Sequence, residues 1–126
     1  MVSNSKANTL EERLVRFAVD IAKLVGQLPH NLQAKHIGSQ VLRSGTAAAP
    51  NYAEARAAES RADFVHKLKI CLKELNETSV WLRILARISP GKDDLIVAIL
   101  QENVEIARII KASIMTAKAR SQAADK

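Results

Sequence analysis

The sequence predicts an all-α protein, an antiparallel up-down-up-down four-helix bundle, and three observations lead there. Apolar residues recur in four separate stretches at alternating spacings of three and four, the period of one helix face. Hydrophobic residues make up 48% of the chain but aromatics only 3%, so the core must be built mainly from Ala, Leu and Ile, which suit helices. No run rich in Val, Thr and Tyr alternates apolar and polar residues, so nothing points to a sheet. At 126 residues the chain is expected to be one domain, 1–126, with loose ends over 1–8 and 118–126.

The first helix is announced by Thr9 and Glu12, which have the form of a capping box. Leu10, Leu14, Phe17, Ile21, Leu24 and Leu28 then form one apolar stripe that stops before Pro29. Asn31 is the expected cap of the second helix, whose inward face would carry Ile37, Val41, Gly45, Ala48, Tyr52 and Ala55. Pro50 conflicts with a straight helix there. It has no N–H, and its ring presses on the Thr46 carbonyl at a cost of about 3 kcal/mol. The helix must either kink near Thr46 or stop and restart; the unbroken apolar register favours a kink near Pro50. Ser44 and Thr46 are expected to bond back to helix carbonyls and ease the bend.

Residues 57–60 read as a turn, with Ser60 and Asp63 providing a cap and an acidic first turn. The third helix carries Phe64, Leu68, Cys71, Leu75, Thr78, Leu82 and Leu85 on one face. Opposite it, Gly45, Ala48 and Ala55 are small enough to let a helix approach closely. Ser89-Pro90-Gly91-Lys92 ends this helix, and Asp93-Asp94 begins the fourth, expected over residues 95–117. Ile96, Leu100, Asn103, Ala107, Ile110 and Ile114 make its main stripe, yet Val97, Ile99, Val104, Ile106 and Ile109 lie on other faces. One stripe suffices for a bundle. The surplus predicts a subunit interface at Ile99, Ile106 and Ile109, the alternative being deep burial within one chain.

Catalytic and metal classes find no foothold. There is no Glu-x-x-His pair of the kind that holds di-iron in bundles, and His30, His36 and His66 are scattered without zinc spacing. Ser44 lacks the flanks of a nucleophile elbow, and no glycine-rich phosphate loop is present. No catalytic residue, metal, cofactor or small-molecule substrate is therefore expected. The single cysteine, Cys71, falls among core positions and reads as a small buried hydrophobe; nothing indicates an oxidising compartment. Residues 1–9 lack the apolar stretch of a signal peptide, and the longest apolar run, 95–100, is far too short to span a membrane. A cytoplasmic protein without a membrane partner is expected.

Two polar groupings remain. Arg43, Asn51, Glu54, Glu74 and Glu77 are expected to form a structural network between helices two and three, because charges there need partners; a ligand-binding carboxylate cluster is the alternative. The second grouping follows from 19 Lys and Arg against 13 Asp and Glu, a net charge of +6. Such an excess favours RNA or DNA, and the candidate contacts are Lys67, Lys69, Lys73, Arg83, Arg87, Arg108, Lys111, Lys118 and Arg120. With no surface aromatics interleaved, binding would run through phosphates with little sequence selectivity. A cationic surface also keeps proteins soluble, so a purely solvated face stands beside that reading.

Several of these segments resemble a known family. Leu42-Arg43-Ser44-Gly45-Thr46, Asn51-Tyr52-Ala53-Glu54-Ala55, Asp63-Phe64, Lys67-Leu68, Leu72-Lys73-Glu74, Glu77-Thr78 and Trp81-Leu82 are similar to the bacterial four-helix bundle family related to the 23S rRNA intervening-sequence proteins. The resemblance covers almost the whole chain and departs at Pro50, where the family usually has a small helix former, and at Ala47-Ala48, where a branched residue is common. It implies a small bundle assembled as a homo-oligomer, a ring-shaped pentamer, with no enzymatic activity and so no catalytic residue to carry over. A more distant relative, the accessory variability protein of diversity-generating retroelements, implies a basic pentamer that binds nucleic acid and a protein partner. The expected function is thus a non-enzymatic, oligomeric basic bundle acting as a nucleic-acid accessory factor; the alternative is a protein–protein scaffold.

Overall fold

The computed structural model describes residues 5–89, 91 and 93–124. They form α1 (Ser5–Gly26), α2 (Leu32–Gly45), α3 (Ala48–Arg56), α4 (Arg61–Ile88) and α5 (Asp93–Ala124), with no strand among the described residues. α2 and α3 follow one another along a single corner, so the five segments make a four-helix bundle. Each of α1 and α4 packs against that corner and against α5. Ser44 meets Thr78, Ala48 meets Cys71 and Glu54 meets Lys67, so contacts recede along α4 as the chain advances through α2 and α3.

Caps fix the helix starts. The Asn31 side-chain oxygen accepts from Ala34 N–H at 2.8 Å, and Ser60 Oγ accepts from Asp63 N–H at 3.0 Å. Each satisfies a donor that has no partner in the first turn, typically worth about 1 kcal/mol. Gly91, at φ 100°, turns the chain between α4 and α5 in a conformation that other residues rarely adopt.

Three boundaries differ from expectation. The chain does not kink at Pro50 but stops and restarts: Thr46 N–H donates to Leu42 O, Ala47 N–H to Ser44 O, and α3 opens at Ala48. Pro50 then stands third in α3, where a first-turn N–H would have no helical partner, so its missing donor costs little. α1 begins at Ser5, placing Thr9 inside the helix rather than at its cap. Residues 5–8 and 118–124, expected to be loose, are helical; α5 meets neither Gly nor Pro, and its last turns are alanine-rich. Residues 1–4 and 125–126 lie outside the described residues.

The core is one cluster. All six α1 stripe residues from Leu10 to Leu28 are buried, as are Leu68, Cys71, Leu75, Thr78, Leu82 and Leu85 of α4. Burying each large aliphatic side chain contributes about 1.5–3 kcal/mol. The corner of α2 and α3 contributes small groups instead: Ser44, Gly45, Ala48 and Ala55 are all buried, and a Cβ on Gly45 would stand 2.9 Å from Ile21 Cγ1 and Cγ2. Small residues here set how closely α1 approaches.

The interface residues expected on α5 are corrected by the same packing. Ile99 is 4% exposed and Ile106 fully buried, both within the core; of the three only Ile109 is exposed, at 38%. α5 touches both α1 and α4, so its buried sector is wider than one stripe and takes in both isoleucines.

Candidate nucleic-acid interface

Seven cations cluster on the outward faces of α4 and α5. At about 100° per residue, Lys69, Lys73, Arg83 and Arg87 fall within an arc of about 80° on α4, and Arg108, Lys111 and Lys118 within about 80° on α5. All seven are exposed, and none joins an ion pair among the described residues. From Ile106 to Ala124 α5 contains no acidic residue, and beyond Asp63 the only acids of α4 are Glu74 and Glu77. Both are held by Arg43, and Glu77, one turn after Lys73, borders the cationic arc.

The two arcs meet across the α4–α5 seam. The close approach of Lys69, with the repulsion of its charge, holds the Lys118 ammonium below the ordinary lysine value. Two like charges set side by side with no acid between them are unfavourable unless an anion joins them. Further along the seam, Arg108 and Lys111 border a groove of about 310 Å³ lined also by Leu72, Asn76, Ser79, Asn103, Val104 and Ala107. Asn103 is 2% exposed; its Nδ2 donates to Leu75 O at 2.9 Å, and its Oδ1 has no partner.

Two of the nine candidate contacts lie elsewhere. Lys67 donates to Glu54 at 3.1 Å, its charge matched locally. Arg120 sits at the lower end of the bundle beside Arg56, Arg61 and Glu59, away from the seam.

The expected polar network is brought together only in part. Arg43 Nη1 donates to Glu74 at 3.1 Å, Arg43 Nη2 donates to Glu77, and Trp81 Nε1 donates to Glu77 at 3.0 Å. His36 packs edge-on against Trp81 with centroids 6.3 Å apart, a contact no sequence signal marked. Glu54 stands apart on Lys67, and Asn51 Nδ2 donates to Ala47 O at 2.8 Å, supporting the start of α3. Eleven residues separate Arg43 from Glu54, about 16 Å along a helix, so the two meet different residues of α4.

A second network went unread in the sequence. Arg13 grips Glu102 with two hydrogen bonds of 2.8 and 2.6 Å and reaches Glu105 at 2.6 Å, tying α1 to α5. The hydrogen bond from Arg13 holds the Glu102 carboxyl below its ordinary value, against the opposing effect of burial. Glu102 and Glu105, three apart on one helix face, were the available signal.

Little of this suits catalysis. Ser44 is buried, with Oγ donating to Gln40 O at 3.0 Å, and Thr46 Oγ1 donates to Leu42 O at 2.6 Å. Burial pushes the Cys71 thiol up to about 12, leaving almost no thiolate at neutral pH. Among the described residues no three His, Cys, Asp or Glu side chains are placed to hold a metal ion, and no helix is long and apolar enough to cross a membrane.

Residues 7–112 match the family model described as 23S rRNA-intervening sequence protein. Among solved structures, the chain is similar to a protein of unknown function from the S23 ribosomal protein family of Bacteroides thetaiotaomicron VPI-5482. The two are 36% identical with a TM-score of 0.80, over 87% of this chain and 98% of that one. No curated protein is significantly similar to this chain. Because that match runs over residues 7–112, most of its length, the chain belongs to the 23S rRNA-intervening sequence protein family.

Proposed function

We propose that this protein is a non-enzymatic, cytoplasmic accessory factor that holds RNA or DNA by its phosphates along the α4–α5 seam. The observation that carries this reading is the segregation of charge. Glu11, Glu54, Glu74, Glu77, Glu102 and Glu105 pair with Arg13, Arg43, Arg56 and Lys67, while Lys69, Lys73, Arg83, Arg87, Arg108, Lys111 and Lys118 line one surface outside any ion pair among the described residues. Solubility alone requires net charge, not its collection on one face.

Phosphate binding to such a surface releases counterions. For a single strand touching four of the seven cations, the logarithm of affinity falls with that of salt at a slope of about −3. Anisotropy of a labelled short RNA between 50 and 200 mM salt measures it. No binding at the lower salt contradicts the proposal.

Assembly belongs to the same proposal. A homo-oligomer, the pentamer implied by the family resemblance, would repeat the +6 charge of each copy around one particle and strengthen its field. With Ile99 and Ile106 in the core, Ile109 is the exposed isoleucine of α5 that lies off the cationic face and can meet a neighbour. Light scattering across protein concentration tests this; a 13.8 kDa particle throughout removes assembly and leaves the seam intact.

A further inference from the structure

The row of α5 that faces outward at the seam is not only cationic. Val97, Val104, Arg108, Lys111, Met115 and Lys118 fall within one arc of about 80°, and all six are exposed. On α4, Val80 stands between Lys73 and Arg83 in the cationic arc and is 45% exposed. Phosphates account for the cations of these rows and for none of their aliphatic groups, whose contact with an anion would only strip water from it. The surface is therefore suited to a partner that carries apolar faces as well as negative charge.

The order of the two kinds of side chain decides which partner. An acidic amphipathic helix keeps its apolar residues on one stripe and its charges on another, so a surface built for it would be sorted likewise. Here they are mixed in one row. Along α5, Arg108, Lys111, Met115 and Lys118 follow Val104 at about 6, 10.5, 16.5 and 21 Å. A single nucleic-acid strand is mixed in the same way, since every phosphate is joined to a base with an apolar face. In a duplex those faces are stacked inside, and the outside is phosphate and sugar. We propose that the α4–α5 surface takes single-stranded nucleic acid in preference to duplex, with unpaired bases lying on Val80, Val104 and Met115 between the phosphates that the cations hold. This rests on the phosphate-binding reading and deepens it, for it states which form of nucleic acid the seam prefers. Aliphatic groups accept the face of any base, so little selectivity among bases goes with it.

The test measures affinity for a single-stranded RNA and for a duplex of the same length, each at several salt concentrations. Val104→Ser with Met115→Ser alters the seam, and Val15→Ser with Val19→Ser removes exposed aliphatic groups of α1 as a control. All four side chains are exposed, so the bundle is expected to stay folded, which circular dichroism checks. The intact protein is expected to bind the single strand roughly tenfold more tightly than the duplex. The seam pair should lose about three- to tenfold for the single strand and less than about twofold for the duplex, its salt slope unchanged because no phosphate contact is lost. The α1 pair should change neither. Equal affinity for both RNA forms, or a seam pair that behaves like the α1 pair, overturns the proposal and leaves the aliphatic groups to a protein partner. A flattened salt slope in the seam pair overturns it too, for valine and methionine would then be acting through the cations. Phosphate binding survives each of those results, whereas absence of binding to either RNA form removes the broader proposal as well.

Discussion

Thr78 Oγ1 lies 2.8 Å from Ser44 Oγ, and both hydroxyls are fully buried where α4 crosses α2. Each is also within reach of its own helix: Ser44 Oγ donates to Gln40 O at 3.0 Å, and Thr78 Oγ1 is 2.7 Å from Glu74 O. The pair joins two helices through groups small enough for close approach. Removing one partner leaves the other hydroxyl short of a bond, so Thr78→Val is expected to cost about 1–2 kcal/mol in urea unfolding. The double variant Ser44→Ala with Thr78→Val should cost clearly less than the sum of the singles, because no orphan remains. Additive costs would show that the two hydroxyls act independently.

Gly45 governs how α1 meets the α2 corner. An added methyl group would press on both branches of Ile21, and a β-branched side chain in a helix has little rotamer freedom to retreat. Gly45→Ala is therefore expected to destabilise by about 1–3 kcal/mol despite the better helix propensity of alanine. Adding Ile21→Ala makes room for the methyl group, so the pair should lose less than the two single changes summed. If Gly45→Ala proves stabilising, α1 is not held as closely as described.

The Arg13–Glu102 clasp makes stability depend on acid. Its folded-state carboxyl lies below the ordinary value of 4.5, so the contribution is present above that value and disappears as pH falls through the folded one. Glu102→Gln is expected to lower stability at pH 7 by roughly 0.5–1.5 kcal/mol and to make little difference at pH 2. Denaturant midpoints at the two pH values measure this. An equal deficit at both would assign the loss to packing instead of charge.

Cys71 should be silent toward thiol reagents in the folded protein. It is fully buried, its Sγ donates to Ala48 O at 3.5 Å, and burial pushes its pKa to about 12. Labelling with a maleimide at neutral pH is expected only as fast as the bundle opens, and to become rapid in denaturant. Rapid labelling of the native protein would place the α3–α4 contact among the loose parts of the fold.

Much of the architecture was readable because local chemistry decides it. The α1 stripe from Leu10 to Leu28 and the α4 stripe from Leu68 to Leu85 are periodic enough to have one inward orientation, and Asn31 and Ser60 cap whatever follows them. What escaped depends on rotation between helices. Pro50 signals trouble, but only knowing that α3 begins at Ala48 turns it from a kink into an ordinary first-turn residue. Ile99 and Ile106 look surplus on one face until α5 is seen to touch two neighbours. Glu54 is expected in one network with Arg43, but the two stand about 16 Å apart along the chain's helical path, and Glu54 meets Lys67 of α4 instead. Arg13 and Glu102 are separated by 89 positions, a pairing that no local pattern encodes. Likewise the unsatisfied oxygen of Asn103 emerges only from the geometry of the seam.

The central claim is that the position of the positive charge matters, beyond its amount. Lys111→Glu with Lys118→Glu alters the seam, whereas Lys23→Glu with Lys35→Glu alters exposed lysines on α1 and α2; two charges are lost at each site, so both pairs take the net charge from +6 to +2. Affinity for a short single-stranded RNA at 50 mM salt separates the two effects. The seam pair is expected to lose roughly tenfold or more and to flatten the salt slope by about one to two units, with the α1–α2 pair losing no more than about threefold. Equal losses from both pairs would mean that the protein presents nucleic acid with a diffuse charge and not a built surface.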